Sequence, residues 1–80
     1  MADLDVTLAL RDAARQLGLS HHVGVAHSKD SFYGEVEPER MPMADALRAR
    51  WQAWKAGGAV ASEMEAAALF IIAGIQRARA

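Results

Sequence analysis

Cysteine is absent from the 80 residues, which excludes a disulfide framework and cysteine-ligated zinc and agrees with a reducing compartment. Excess charge of either sign is also lacking. Nine Lys and Arg face ten Asp and Glu, a net charge of -1, so there is no basic footprint of a nucleic-acid binder. Met-Ala-Asp-Leu-Asp has neither the basic start nor the apolar run of a signal peptide. The longest apolar run, Ala66 to Ile75, is too short to span a bilayer. Gly24 and Gly34 do not form a phosphate loop, because no Gly-rich turn with Lys-Ser/Thr follows a strand. Together these absences predict a cytoplasmic chain with no nucleic-acid or membrane partner.

What is present is apolar mass. The hydrophobic fraction is 52%, slightly above the average for soluble domains, in a chain long enough for one domain at most. The run Ala66-Ala67-Ala68-Leu69-Phe70-Ile71-Ile72 would be apolar on every side as a helix, and such helices belong inside larger structures. With Trp51 and Trp54 it exceeds what a chain this short can readily cover. A longer polypeptide or a tight oligomer is therefore expected.

Leu4, Leu8, Ala9, Leu10, Ala13, Ala14 and Leu17 recur at three- and four-residue steps, the mark of an amphipathic helix. Asp3 or Asp5 can cap its start, and Gly18 sits where a helix commonly ends. His21 to Ser28 read as a short strand. Residues 29 to 45 read as a polar loop with two prolines, and a loop that long is usually functional or mobile. A second helix is expected from about Ala44 to Lys55, stopped by Gly57-Gly58. Ala59 to Ser62 make a second strand, and Glu65 to about Arg77 a third helix. The expected class is α/β, with three helices and two short strands.

Most chemistry-bearing residues have an ordinary structural explanation. His21 and His22 are adjacent on a strand and point to opposite faces, while His27 is at its far end, so no metal site is expected. Ser28 and Ser62 lack a nucleophile-elbow context. Trp51 and Trp54, three apart, suit helix packing. Glu35, Glu37 and Glu39 suit a solvated loop. Two stretches stand out. Lys29-Asp30 before Ser31-Phe32-Tyr33 can hold an aromatic lid over a flat ligand. Ala61-Ser62-Glu63-Met64-Glu65 puts two carboxylates and a thioether at a strand-to-helix junction. Acidic residues suit a helix start. A fixed carboxylate there can also accept from paired sugar hydroxyls, with the Met packed on the sugar's apolar face. Both readings stay open on spacing alone.

Val23-Gly24-Val25-Ala26-His27-Ser28-Lys29-Asp30-Ser31-Phe32-Tyr33-Gly34 resembles the base-binding strand and loop of bacterial uridine phosphorylases. Trp51-Gln52-Ala53-Trp54-Lys55-Ala56-Gly57-Gly58, followed by Ala61 to Leu69, resembles that family's next helix and its Glu-Met-Glu ribose motif. The similarity runs from the first helix to about Ala73. The Glu-Met-Glu step is shared across the nucleoside phosphorylase superfamily; Asp-Ser-Phe-Tyr-Gly and the Trp-rich helix narrow it to the uridine branch.

The resemblance implies a phosphorylase/hydrolase-like fold, here partial over residues 1–80, and an enzyme that converts uridine and phosphate to uracil and ribose 1-phosphate. No organic cofactor or metal is implied; nucleoside and phosphate are the partners, and family members are homo-oligomeric rings. Glu65 matches the carboxylate that holds the ribose 2′ and 3′ hydroxyls, Met64 the residue under the sugar, and Glu63 the acidic partner lining the pocket. Phe32 matches the aromatic wall at the nucleoside. The pattern departs at the base: the family reads uracil with a Gln and an Arg two residues later, where Glu35 and Glu37 stand here. A carboxylate accepts from the uracil N3–H but cannot donate to its carbonyls, which makes Arg40 the candidate donor. The phosphate site of the family lies in an N-terminal half with no counterpart in these residues. The chain is therefore expected to be an internal or C-terminal fragment, inactive alone and with its catalytic residues unassigned. A purine nucleoside phosphorylase or nucleosidase segment, and a non-catalytic interaction protein, are the alternatives.

Overall fold

The computed structural model describes residues 1–80. It contains four α-helices, one 3-10 turn and two parallel strands, a mixed α/β chain. These fall into two compact units: residues 24–64, and residues 1–23 with 65–80.

Residues 24–64 carry β1 (Val25–Ser28), α2 (Phe32–Val36), the turn Pro38–Arg40, α3 (Ala44–Ala56) and β2 (Ala59–Glu63). Two parallel strands need a long crossover, and α2, the turn and α3 provide it. The ladder pairs Val25 with Ala59, Ala26 with Ala61, His27 with Ser62 and Ser28 with Glu63; the shift after Val25 leaves Val60 as the extra residue of a bulge. The strand expected from His21 starts only at Val25. Its partner begins at Ala59, so residues 21–23 have no ladder to join. The expected loop of residues 29 to 45 holds more order than its composition suggests. Ser31 caps α2, its Oγ accepting from the Gly34 N–H at 3.1 Å. Pro38 opens the 3-10 turn, where its missing N–H costs nothing. α3 packs against β2, α2 and the turn.

The other unit holds α1 (Leu4–Gln16) and α4 (Ala66–Ile75). Asp3 caps α1 as expected: its carboxylate accepts from the Val6 N–H at 3.0 Å, and its carbonyl accepts from the Thr7 hydroxyl at 2.9 Å. At the other end Gly18 takes a left-handed φ of +67°. That lets the Gly18 and Leu19 N–H groups turn back to the carbonyls of Arg15 and Ala14, at 3.1 and 2.9 Å. α4 ends in the same motif, with Arg77 and Ala78 bonded to Gly74 and Ala73 at 3.2 and 2.9 Å, but the left-handed residue there is Arg77, at φ +53°. The Asp3 N–H donates to the Ala80 main-chain oxygen at 2.6 Å, and Arg79 pairs with Asp5 at 3.4 Å.

No apolar side chain is buried. Leu69, Ile71, Ile72 and Ile75 of α4 are each more than half exposed. At helical spacing they point to several sides, so α4 offers no single polar face. No helix is long and apolar enough to cross a membrane.

Candidate functional site: the strand ends of residues 24–64 and the Glu-Met-Glu step

Parallel pairing sends paired residues to the same face, and successive residues to opposite faces. Ser28 and Glu63 therefore share one face of the ladder, while His27, Lys29 and Ser62 share the other. The Lys29 N–H extends the ladder by bonding to the Glu63 carbonyl at 2.8 Å. On the first face the Ser28 hydroxyl donates to the Glu63 carboxylate. This fixes Glu63 at the carboxyl ends of both strands, the position where open parallel sheets carry ligands.

Met64 follows, 41% exposed, and Glu65 occupies the N-cap position of α4, its carbonyl accepting from the Leu69 N–H at 3.1 Å. The first turn of α4 contains no acid. Both carboxylates thus precede the helix proper, Glu63 in the strand and Glu65 at the cap. A helix-dipole explanation applies to Glu65 alone.

The second face carries a polar cluster. Glu35, from α2, places Oε1 3.1 Å from the Lys29 ammonium and Oε2 2.8 Å from the Ser62 hydroxyl, which donates to it. Lys29 also donates to Ser62 at 3.2 Å. The Lys29 and Glu35 side chains are only 11% and 14% exposed. His27 Nδ1 is buried without a hydrogen-bond partner, 3.7 Å from Glu35 Oε2. The His27 ring lies against α3, its centroid 6.1 Å from that of Trp51 and 5.3 Å from that of Trp54. The tryptophans thus pack on the strand, as their helical spacing suggests.

Phe32 is the first residue of α2 and is half exposed. Its ring meets Tyr33 edge-on, centroids 5.3 Å apart, and the Lys29 ammonium stands 5.6 Å from its centroid, within cation–π range. Gly34, the one buried residue of α2, leaves room for the cap: a Cβ there would lie 3.0 Å from Ser31 Oγ. Arg40 lies in the 3-10 turn and pairs with Glu37 at 2.8 Å. Glu39 bonds to Arg48 at 3.0 Å. A backbone hydrogen bond, then Arg48, holds its carboxyl below the usual carboxylate range.

Of the residues singled out from sequence, Phe32 and Glu35 come together through Lys29, and Glu63 is tied to Ser28. Arg40 is engaged by Glu37. The pairing of Lys29 and Ser62 with Glu35 was not read from the sequence, although the period-2 face shared by His27 and Lys29 carries the signal.

The family model described as the phosphorylase superfamily matches residues 1–80. The chain belongs to the phosphorylase superfamily. It is 44% identical over 77 residues to the uridine phosphorylase of Treponema pallidum (strain Nichols), covering 96% of this chain and 30% of that protein. Identity is 39% over 90 residues to the uridine phosphorylase of Thermococcus kodakarensis, with 100% of this chain and 30% of the relative covered. Identity to that of Escherichia coli (strain K12) is 35% over 83 residues, with 100% of this chain and 33% of the relative covered. The chain spans about a third of the length of the curated relatives it matches.

Proposed function

We propose that these residues form the ribose and base side of a uridine phosphorylase. The observation that supports this best is the Glu63-Met64-Glu65 step at the strand-to-helix junction, in a chain whose relatives carry that name. In the proposed reaction a phosphate oxygen bonds to ribose C1′ as the bond from C1′ to uracil N1 breaks. The bonding pair leaves with uracil, which takes up a proton, and the products are uracil and ribose 1-phosphate. Phosphate is a co-substrate, and no organic cofactor is used.

Glu65 accepts hydrogen bonds from the ribose 2′ and 3′ hydroxyls, Met64 packs beneath the sugar, and Glu63 is the acidic partner in the same sequence step. Orienting the ribose against phosphate lowers the barrier by prepaid entropy. Carboxylates fixed near a ribosyl centre that gains positive charge stabilise it as it forms. Phe32 walls the base. Glu35 can accept from the uracil N3–H, and Arg40 can donate to a uracil carbonyl. The tie from Ser28 to Glu63 supports this reading, because it orients one carboxylate before any ligand arrives.

The test compares uridine with inosine as substrates for the native gene product carrying these residues, with and without phosphate. Phosphate-dependent uracil release, with inosine much the poorer substrate, is expected, and the isolated 80-residue chain should release none. Preference for inosine would move the chain to a purine-specific branch. A native product that cleaves neither nucleoside would sink the enzymatic reading.

A further inference from the structure

The proposed function leaves Lys29 without a role, yet this ammonium is among the least exposed charges in residues 24–64. A buried ion pair is weak evidence for stability, since desolvation cancels most of its Coulombic gain. A packed apolar side chain would serve the fold as well. The partners of Lys29 suggest another purpose. An ammonium has three N–H donors, and three groups surround this one: Glu35 Oε1 at 3.1 Å, Ser62 Oγ at 3.2 Å and the Phe32 ring, centroid at 5.6 Å. Two of the three, Glu35 and the Phe32 ring, are groups that the proposed function sets against the base, and the third, Ser62, is bonded to Glu35.

We propose that Lys29 is a positioning residue for the base end of the site, fixing the Glu35 carboxylate and the Phe32 ring together. This rests on the proposed function and deepens it. α2 has five residues, too few to hold a helix by itself. The direction of Phe32 and Glu35 therefore depends on tertiary ties, and Lys29 provides one to each. Ser62 completes the frame from β2 by donating to Glu35 Oε2 at 2.8 Å. A carboxylate has about four acceptor directions, and Lys29 and Ser62 take two, leaving the group held but able to accept from a base N–H. His27 Nδ1, at 3.7 Å, is too far to take a third.

The test is steady-state kinetics of the native gene product with Lys29→Met, which keeps most of the stem and removes the charge, and Lys29→Arg, which restores it. Lys29→Met should raise KM for uridine about tenfold, the usual scale for a lost charge-assisted hydrogen bond, with KM for phosphate and kcat changed little. Lys29→Arg should recover most of that loss. In combination with Glu35→Gln, the effect of Lys29→Met on KM for uridine should shrink, because the two groups act as a unit. An unchanged KM for uridine in Lys29→Met, with only the urea midpoint lowered, would overturn the proposal by making the pair merely structural. If Lys29→Met does not fold, the pair of Lys29→Arg and Glu35→Gln carries the test: independent, additive effects on KM would also overturn it. Loss of uridine phosphorolysis in the wild type itself would be a failure of the proposed function, and it is seen before any variant is made.

Discussion

In residues 24–64 a parallel ladder, a bound carboxylate at its end and a polar cluster of Lys29, Glu35 and Ser62 fix side chains to one another across the two strands and α2. In residues 1–23 and 65–80 the ties are caps at helix ends and two ion pairs, Arg11–Asp12 and Arg79–Asp5, while α4 presents Leu and Ile side chains. The difference separates two ways in which a sequence spends its residues. One region sets the direction of particular polar atoms, as recognition requires. The other supplies apolar surface, whose stabilising value is realised only when it is covered.

The contrast breaks most clearly at its ion pairs. Glu35→Ala leaves the little-exposed Lys29 without its carboxylate, and should cost about 2–3 kcal/mol. Both tryptophans lie in residues 24–64, so their fluorescence in a urea titration follows this unit, and far-UV circular dichroism in the same titration follows the helices of both. Asp5→Ala removes the partner of Arg79, where the two side chains are 79% and 68% exposed, and should change stability by less than about 0.5 kcal/mol. Equal losses would mean that the two units are held in the same way.

The two helix ends sharpen it. Gly18 and Arg77 hold the same left-handed position after α1 and α4. A side chain there costs about 1 kcal/mol or more relative to glycine. Gly18→Ala should therefore lower helix content on heating, measured by circular dichroism, and Arg77→Gly should raise it. An Arg77→Gly variant that melts earlier would show that the Arg77 side chain contributes more than its strain costs.

The smallest effect concerns pH. Glu39 has a lowered pKa when folded, so the stability it adds is present above the ordinary carboxylate value and is lost as pH falls through the folded value. The group is exposed, and the change should be slight. Acid titration of the turn and the start of α3, followed by amide shifts, should move to higher pH in Arg48→Gln and disappear for this site in Glu39→Gln. No difference between wild type and Arg48→Gln would remove Arg48 as a cause.

Helical spacing and punctuation made α1, α3 and α4 readable to within a residue or two, because Asp3, Gly18 and Gly57-Gly58 are strong start and stop signals. Strand β1 was read too long, since where a strand begins depends on a partner distant in sequence. The order inside residues 29 to 45 was hidden for a similar reason. A five-residue helix has no period to detect, and what fixes α2 is the Ser31 cap and the tertiary pairing of Glu35 with Lys29 and Ser62. Glu63, Met64 and Glu65 were visible as candidates because carboxylates beside an apolar helix need a reason. That Ser28 orients Glu63 was not visible, because it follows from ladder register.

The most direct measurement compares uridine and 2′-deoxyuridine as substrates of the native gene product, in the wild type and in Glu65→Ala. If Glu65 holds the ribose 2′ and 3′ hydroxyls, the wild type should prefer uridine. Glu65→Ala should then lose about a hundredfold in kcat/KM on uridine, on the scale of removing one fixed electrostatic contact, and much less on the deoxynucleoside, so that the preference collapses. An equal loss on both substrates, or a preference left intact, would contradict the assignment of this strand-to-helix step as the ribose site.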